Sequence, residues 1–224
     1  VYLRKDDPVM EKLKEQVVTA YQQCYYIGHK VGYPLYENTD VVFYKEAADG
    51  FRAQIEEMKK AQKFIFMEYH AIEDREAFAE MKAVLFAKAK EGVEIRIVYD
   101  DVGSVGFISP EFVKQMKTHG IDCRIFNPMM PVLNIFMNNR DHRKITVIDG
   151  RVGFTGGYNL ANEYFNITHP YGVWKDSGVR LEGEAVRSLT LIFMEMWNAI
   201  RGTDTEYEKY LPDGVFEAKG GGYV

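Results

Sequence analysis

The sequence predicts an α/β fold in which a mixed, largely parallel β-sheet is sandwiched by helices. Short apolar segments of strand length alternate four times with segments whose apolar residues recur at helical spacing. Further along the chain, Asp149-Gly150 is a dipeptide typical of tight hairpin turns, and strand-like segments flank it on both sides. A chain of 224 residues is long enough to bury such a fold as one domain.

The predicted elements follow this order along the chain. An N-terminal helix is expected over residues 8–27, with Asp7 as its N-cap and Pro8 in its first turn, and a loop follows it. The predicted strands are 41–44, 64–69, 94–99, 121–126, the hairpin 144–155, and 178–181. The helices between and after them are marked by apolar stripes that include Phe51, Ile55 and Met58, then Phe78, Met81 and Leu85, and finally Leu189, Ile192 and Met196. The segment between Ser109-Pro110 and Gly120 is also expected to be helical.

Composition excludes several classes of protein. The formal net charge of −5 argues against a nucleic-acid partner, because surfaces that track phosphates are usually basic. The two cysteines, Cys24 and Cys123, do not suggest a disulfide framework and indicate a reducing, cytoplasmic-type environment. No apolar run approaches the roughly 20 residues that span a bilayer, and no signal-peptide pattern is present. We therefore expect a soluble polypeptide.

The most informative motif begins at His142. Because side chains two apart on a strand share a face, His142 and Lys144 are predicted to point the same way. The hairpin then returns the chain and brings Asn159 toward the same place. An imidazole, an ammonium and an amide that converge on one spot suit an anionic, tetrahedral phosphorus centre. Spacing alone leaves open whether His142 is a nucleophile, a general base or a structural histidine of an ordinary hairpin.

The pattern H-x-K-x4-D-x6-G-G-x-N that starts at His142 resembles the phospholipase D superfamily motif, and every defined position is matched. The resemblance narrows to bacterial cardiolipin synthases through several further stretches and covers about residues 32–201. These stretches are Gly-Tyr-Pro-Leu-Tyr-Glu-Asn-Thr at 32–39, Lys-Phe-Ile-Phe-Met-Glu-Tyr at 63–69, Val-Tyr-Asp-Asp-Val-Gly-Ser at 98–104, Phe-Asn-Pro at 126–128, Asn-Arg-Asp-His-Arg-Lys-Ile at 139–145, and Trp-Lys-Asp-Ser-Gly-Val-Arg-Leu-Glu-Gly at 174–183.

The resemblance implies roles for five residues of this motif. His142 would attack phosphorus and form a phosphohistidine. Lys144 and Asn159 would hold the non-bridging phosphate oxygens, where negative charge must be stabilised. Gly156 and Gly157 would let the backbone approach the phosphate closely.

Three further residues have two interpretations each. Asp149 belongs to the motif and is counted with the catalytic residues by resemblance, although its position favours bracing the hairpin. Asp176 would accept a hydrogen bond from the catalytic histidine, or is a carboxylate at a strand edge. Arg140 would bind phosphate or cap the strand. No cofactor or metal is expected, because the other histidines lack metal-ligand spacing; among these, His70 stands just past Glu68.

The chain departs from the resemblance in two ways. Cardiolipin synthases usually carry N-terminal transmembrane segments and a second H-x-K-x4-D half, whereas neither is found here. We therefore expect a soluble portion of a bacterial cell-membrane protein, which a start at Val1 without Met also fits. Its predicted parts are an N-terminal helix and linker over 1–39, a catalytic half over 40–203, and a linker over 204–224 toward a missing second half.

The function implied is transfer of a phosphatidyl group between two phosphatidylglycerol molecules. The expected partners are phosphatidylglycerol, a membrane surface and a second half from the same native chain or a homodimer. The isolated half is expected to be inactive.

One alternative is a single-motif phosphodiesterase that works as a homodimer, and another is a non-catalytic phosphate-binding module. The apolar loop 129–137 would either contact acyl chains or the membrane, or form a buried connection that packs on the core.

Overall fold

A computed structural model describes residues 8–129, 138–202, 204, 206–211, 214 and 216–224 of the chain. The predicted N-cap Asp7 lies outside these residues, as does the loop 129–137 apart from Met129. Within the described ranges, no helix is both long enough and apolar enough to cross a bilayer.

Among the residues that the structure describes, seven strands form one sheet and six α-helices accompany it. The strands are β1 (Thr39–Tyr44), β2 (Phe64–Tyr69), β3 (Glu94–Asp100), β4 (Asp122–Phe126), β5 (Lys144–Ile148), β6 (Val152–Gly156) and β7 (Gly178–Gly183). The helices are α1 (Pro8–Gln16), α2 (Val18–Lys30), α3 (Ala47–Lys59), α4 (Glu76–Lys90), α5 (Pro110–Thr118) and α6 (Val186–Ile200). Short 3-10 helices cover Asn162–Phe165 and Glu208–Tyr210.

The strand order is β1-β7-β6-β5-β2-β3-β4, which confirms the predicted mixed α/β class. Only β2, β3 and β4 pair in parallel, and the other four pairings among the described strands are antiparallel. The parallel share is thus smaller than predicted. The reason is local: a connection of only three residues, 149–151, can join β5 to β6 only as antiparallel neighbours, and β7 and β1 continue that pattern.

Helices cover the sheet on both faces. The core on one face includes Ile55 of α3, Phe78 of α4 and Phe112 of α5, and the core on the other face includes Phe193 and Trp197 of α6. All six residues of β2 are buried, which explains why this strand reads as a continuous apolar run instead of an alternating one.

Both ends of the chain differ from the sequence prediction. The predicted helix over 8–27 is two helices, because Val17 adopts an extended backbone conformation (φ −144°, ψ 91°) between α1 and α2. The described part of 204–224 packs on the domain instead of leading away from it. Tyr210 is buried in the α6-side core, and Val224 exchanges two backbone hydrogen bonds with Tyr36.

Asp149 closes one end of the sheet. Its Oδ1 accepts hydrogen bonds from the backbone N–H groups of Lys63 and Phe64 at 2.8 and 2.9 Å, and its Oδ2 accepts one from that of Gln62 at 2.9 Å. Its backbone lies in the left-handed region (φ 54°), which Asp and Asn adopt more readily than most residues. The carboxylate therefore ties the β5–β6 turn to the start of β2.

We expect Asp149→Asn to lower the free energy of unfolding by about 2 kcal/mol, since a hydrogen bond to a charged group contributes about 1.5–3 kcal/mol. Asn tolerates the same backbone conformation, but its amide nitrogen would meet one of these N–H donors. Urea denaturation measures the change, with Asp49→Asn on the exposed face of α3 as the matched control. Equal unfolding midpoints for the two variants would contradict a bracing role.

Candidate functional site

The candidate site lies at the end of the sheet opposite Asp149. The start of β5 meets the end of β2 there, with Lys144 opposite Tyr69. The end of β6 meets the start of β7, where Gly156 is opposite Gly178. Because β3 runs parallel to β2, its last residue, Asp100, reaches the same edge. The chain order of these strands thus delivers five strand ends to one place.

His142 and Lys144 lie together, although only Lys144 belongs to the central strand. The Lys144 Nζ donates a hydrogen bond to the backbone carbonyl of His142 at 3.0 Å. The lysine side chain is buried, and this burial lowers its pKa to about 8 against the opposing effects of the Asp141 and Asp176 carboxylates. The His142 residue, by contrast, is exposed.

The charge of Lys144 is the main cause that lowers the pKa of His142, with smaller contributions from burial and from His70. A lower imidazole pKa keeps His142 neutral at neutral pH, which is the form that can act as a nucleophile. A cation beside an exposed neutral imidazole also favours an anionic ligand at this point.

Asn159 reaches the same edge of the sheet. Its Oδ1 accepts a hydrogen bond from the backbone N–H of Ala71 at 3.1 Å, just past the end of β2. Its Nδ2 donates to the Tyr164 hydroxyl at 2.7 Å. The amide is buried and oriented by these two bonds. Its second N–H makes no hydrogen bond to the residues that the structure describes.

The two motif glycines pack against the segment that begins with Asp176. A Cβ atom on Gly156 would lie 2.5 Å from the Ser177 carbonyl oxygen, and one on Gly157 would lie 2.1 Å from Asp176 Oδ1. The glycines therefore make room for protein atoms, whereas the sequence suggested that they make room for phosphate.

Asp176 has a different environment from the one predicted. Its Oδ1 accepts a hydrogen bond from the Ser177 backbone N–H, and its Oδ2 accepts one from the Trp174 indole N–H at 3.3 Å. None of its hydrogen bonds within the described residues goes to His142. Its charge instead acts on Lys144, whose pKa it raises.

Two predicted site residues are engaged elsewhere. Asp149 sits at the far end of β5, so the structure does not bring it to the other motif residues. Arg140 binds Asp100 Oδ1 at 3.2 Å and the carbonyl oxygens of Asn127 and Asn139 at 2.9 and 3.0 Å. These contacts match the capping interpretation of Arg140 more closely than phosphate binding.

Sequence reasoning missed a buried charged cluster beneath the site. The Arg143 Nε lies 2.7 Å from Glu68 Oε1 and 2.9 Å from Asp141 Oδ1. Burial, followed by the neighbouring Asp141, raises the pKa of Glu68 to about 9, and Arg143 opposes this shift. The alternation of side chains along a strand predicts that Arg143 points to the other face from Lys144. Its pairing with Glu68 depends on the register between β2 and β5, which cannot be read from the sequence.

The arrangement of strands is that of phospholipase D-like proteins. NucT from Helicobacter pylori matches with a TM-score of 0.55 at 10% identity, covering 71% of this chain and 96% of that one. Nuc from Salmonella typhimurium, described as a phospholipase D family member, matches with a TM-score of 0.54 at 18% identity, covering 73% of this chain and 95% of that one. At such low identities the likeness concerns the fold alone.

The sequence defines the family. A model described as "Cardiolipin synthase, PLD-like domain" matches residues 54–197, and the chain belongs to this family. A cardiolipin synthase of Alkalihalophilus pseudofirmus is 34% identical over 96% of this chain and 42% of its own length. Cardiolipin synthase 2 of Bacillus cereus is 40% identical over 72% of this chain and 31% of its own length. An uncharacterised protein of Streptococcus mutans is 38% identical over the whole chain, which spans 48% of that relative.

We expect the affinity of the chain for inorganic sulfate to fall as pH rises from 7 to 9. Sulfate keeps its charge over this range, while Lys144, with a pKa of about 8, loses its proton. Isothermal titration calorimetry measures the affinity at each pH. Lys144→Met should remove the pH dependence, and Lys60→Met, at the opposite end of the sheet, should keep it. An affinity that stays flat through pH 9 would contradict the assignment of Lys144 as an anion ligand.

Asp176→Asn should move the midpoint of this sulfate titration to lower pH, because the lost carboxylate no longer raises the pKa of Lys144. Asn keeps an acceptor for the Ser177 N–H, so the fold should persist. The control is Asp122→Asn at the exposed start of β4. An unchanged midpoint in a folded Asp176→Asn protein would mean that the two charges do not interact.

Proposed function

We propose that this chain is one catalytic half of a phospholipase D-type phosphatidyltransferase of cardiolipin synthesis. The reaction would move a phosphatidyl group from one phosphatidylglycerol to a hydroxyl of another and release glycerol. The observation that carries this proposal is the exposed His142 beside the buried Lys144, whose charge lowers the pKa of the imidazole, in a member of the cardiolipin synthase, PLD-like domain family.

In the first step, an imidazole nitrogen of His142 attacks phosphorus, and the bond from phosphorus to the glycerol headgroup oxygen breaks. The leaving oxygen takes a proton from an acid, and a phosphohistidine remains. In the second step, the hydroxyl of another phosphatidylglycerol gives its proton back to that group and attacks phosphorus, which frees His142. Lys144 and the second N–H of Asn159 would stabilise charge on the non-bridging oxygens.

The proton donor is proposed to belong to a second phospholipase D-like half. The chain spans less than half the length of the curated relatives that it matches, so the remainder of such a protein has room for this half. A homodimer of the present chain is the other way to complete the site. Because phosphatidylglycerol is a membrane lipid, the proposed enzyme would bind a membrane surface and act at the cell membrane.

The test is conversion of phosphatidylglycerol in vesicles to cardiolipin and glycerol, measured by mass spectrometry. The full-length protein should be active, and the 224-residue chain alone should lose at least about 10²-fold, the usual contribution of a general acid. Cardiolipin formation at the full rate by a verified monomer of the chain would contradict the half-site proposal. Hydrolysis without transfer would favour the phosphodiesterase alternative, and sulfate binding without turnover in either form would favour the phosphate-binding alternative.

The nucleophile is tested in the same full-length protein by acid quenching and peptide mass spectrometry. His142→Ala should abolish the covalent phosphatidyl adduct and lower kcat by at least about 10³-fold. His119→Ala, a histidine at the end of α5 that stacks on Phe86, is the control and should leave both unchanged. An adduct that persists in His142→Ala would make His142 the acid and place the nucleophile in the other half.

A further inference from the structure

The residues that carry His142 lie just before β5 and depend on neighbouring strands for their position. The backbone N–H of His70 donates to the Arg143 carbonyl oxygen at 3.2 Å. The backbone N–H of Asp141 donates to Asp100 Oδ2, at the end of β3, at 2.9 Å. Hydrogen bonds thus hold the segment 141–143 at both ends, and the exposed His142 lies between them.

The imidazole of His70 adds a third hydrogen bond to this segment. Its Nδ1 lies 2.7 Å from the backbone carbonyl oxygen of Asp141. A carbonyl oxygen only accepts hydrogen bonds, so Nδ1 must carry the proton. Asp100 Oδ1, 3.9 Å from the same nitrogen, also favours a proton there. In the neutral ring the proton is therefore on Nδ1, and Nε2 is an acceptor.

The ring has little freedom to move. A Cβ atom on Gly103 would lie 2.7 Å from both Cδ2 and Cε1 of His70, which means that the backbone of residue 103 presses on the imidazole. On the other side, the ring meets that of His142 edge to face, with 4.8 Å between centroids. One side chain thus contacts both the backbone before His142 and the His142 ring itself.

We propose that His70 is a positioning residue, which sets the orientation of His142 through its Nδ1–H bond to the Asp141 carbonyl. This inference rests on the proposed function of His142. It assigns to His70 the orienting role that the sequence suggested for Asp176. Misplacing a reacting group by about 1 Å can lower a rate by about 10²-fold, so the loss of this hydrogen bond should be measurable.

The kinetic test uses three variants of the full-length protein with phosphatidylglycerol vesicles. Asn carries an N–H donor close to where imidazole has Nδ1, Gln places its amide near Nε2, and Phe keeps a ring without a donor. We expect His70→Asn to retain kcat within about threefold, whereas His70→Gln and His70→Phe should lower kcat by about 10–100-fold with little change in KM. Equal losses in all three variants, or none in any, would overturn the proposal.

A second measurement does not depend on turnover. Nitrogen-detected NMR of the 224-residue chain at pH 9 reports which nitrogen of each neutral imidazole is protonated. We expect Nδ1–H for His70, assigned by its disappearance in His70→Asn. A proton on Nε2 of His70 would overturn the inference even if the enzyme were active. A proton on Nδ1 together with inactive full-length protein would instead count against the proposed function alone.

Discussion

The antiparallel pairing of β2 with β5 determines where the important side chains lie. It places Tyr69 opposite Lys144 at one end of the sheet and brings the turn at Asp149 to the start of β2 at the other. The same two strands therefore present a catalytic candidate at one end and a stabilising carboxylate at the other. Because both strands are deeply buried on both faces, a shift of register by one residue would turn each side chain from its own core toward the opposite one.

Burial of charge is the second organising feature at this end of the sheet. Lys144 is buried without an ion pair to any carboxylate among the described residues, and the energetic cost of burial lowers its pKa. Beside it, Arg143 lies between Glu68 and Asp141. With a pKa of about 9 the Glu68 carboxyl is protonated at neutral pH, so the charge of Arg143 is paired with Asp141. A buried cation whose charge is not fully compensated, such as Lys144, attracts an anion.

Sequence analysis could predict the mixed α/β class and most strand positions from residue periodicity. It could also predict that Lys144 and His142 are neighbours, because their spacing in the chain fixes this; the shared role of His142, Lys144 and Asn159 stays a prediction. It overestimated the parallel share of the sheet, because pairing between distant strands is not local information. For Asp176 it left two interpretations open, a partner of the catalytic histidine or a carboxylate at a strand edge, and it did not consider His70 for the orienting role. The contacts of His70 with Asp141 depend on the β2–β5 register and on a close approach by Gly103, and neither is visible along the chain.

Five residue steps separate Lys144 from Asp149. At about 3.3 Å per residue this corresponds to about 17 Å along β5, from the end of the sheet that carries the candidate site to the end where Asp149 binds the start of β2. The number of residues between Lys144 and Asp149 therefore fixes the distance between the two ends of β5. If one residue were inserted or deleted, one end of β5 would keep its pairing with β2 and β6, but the other end would be displaced along them and its side chains would point to the wrong face of the sheet. Substitutions within β5 are limited by the space available in the two cores. The number of residues in β5 is limited by the positions of Lys144 at one end and Asp149 at the other.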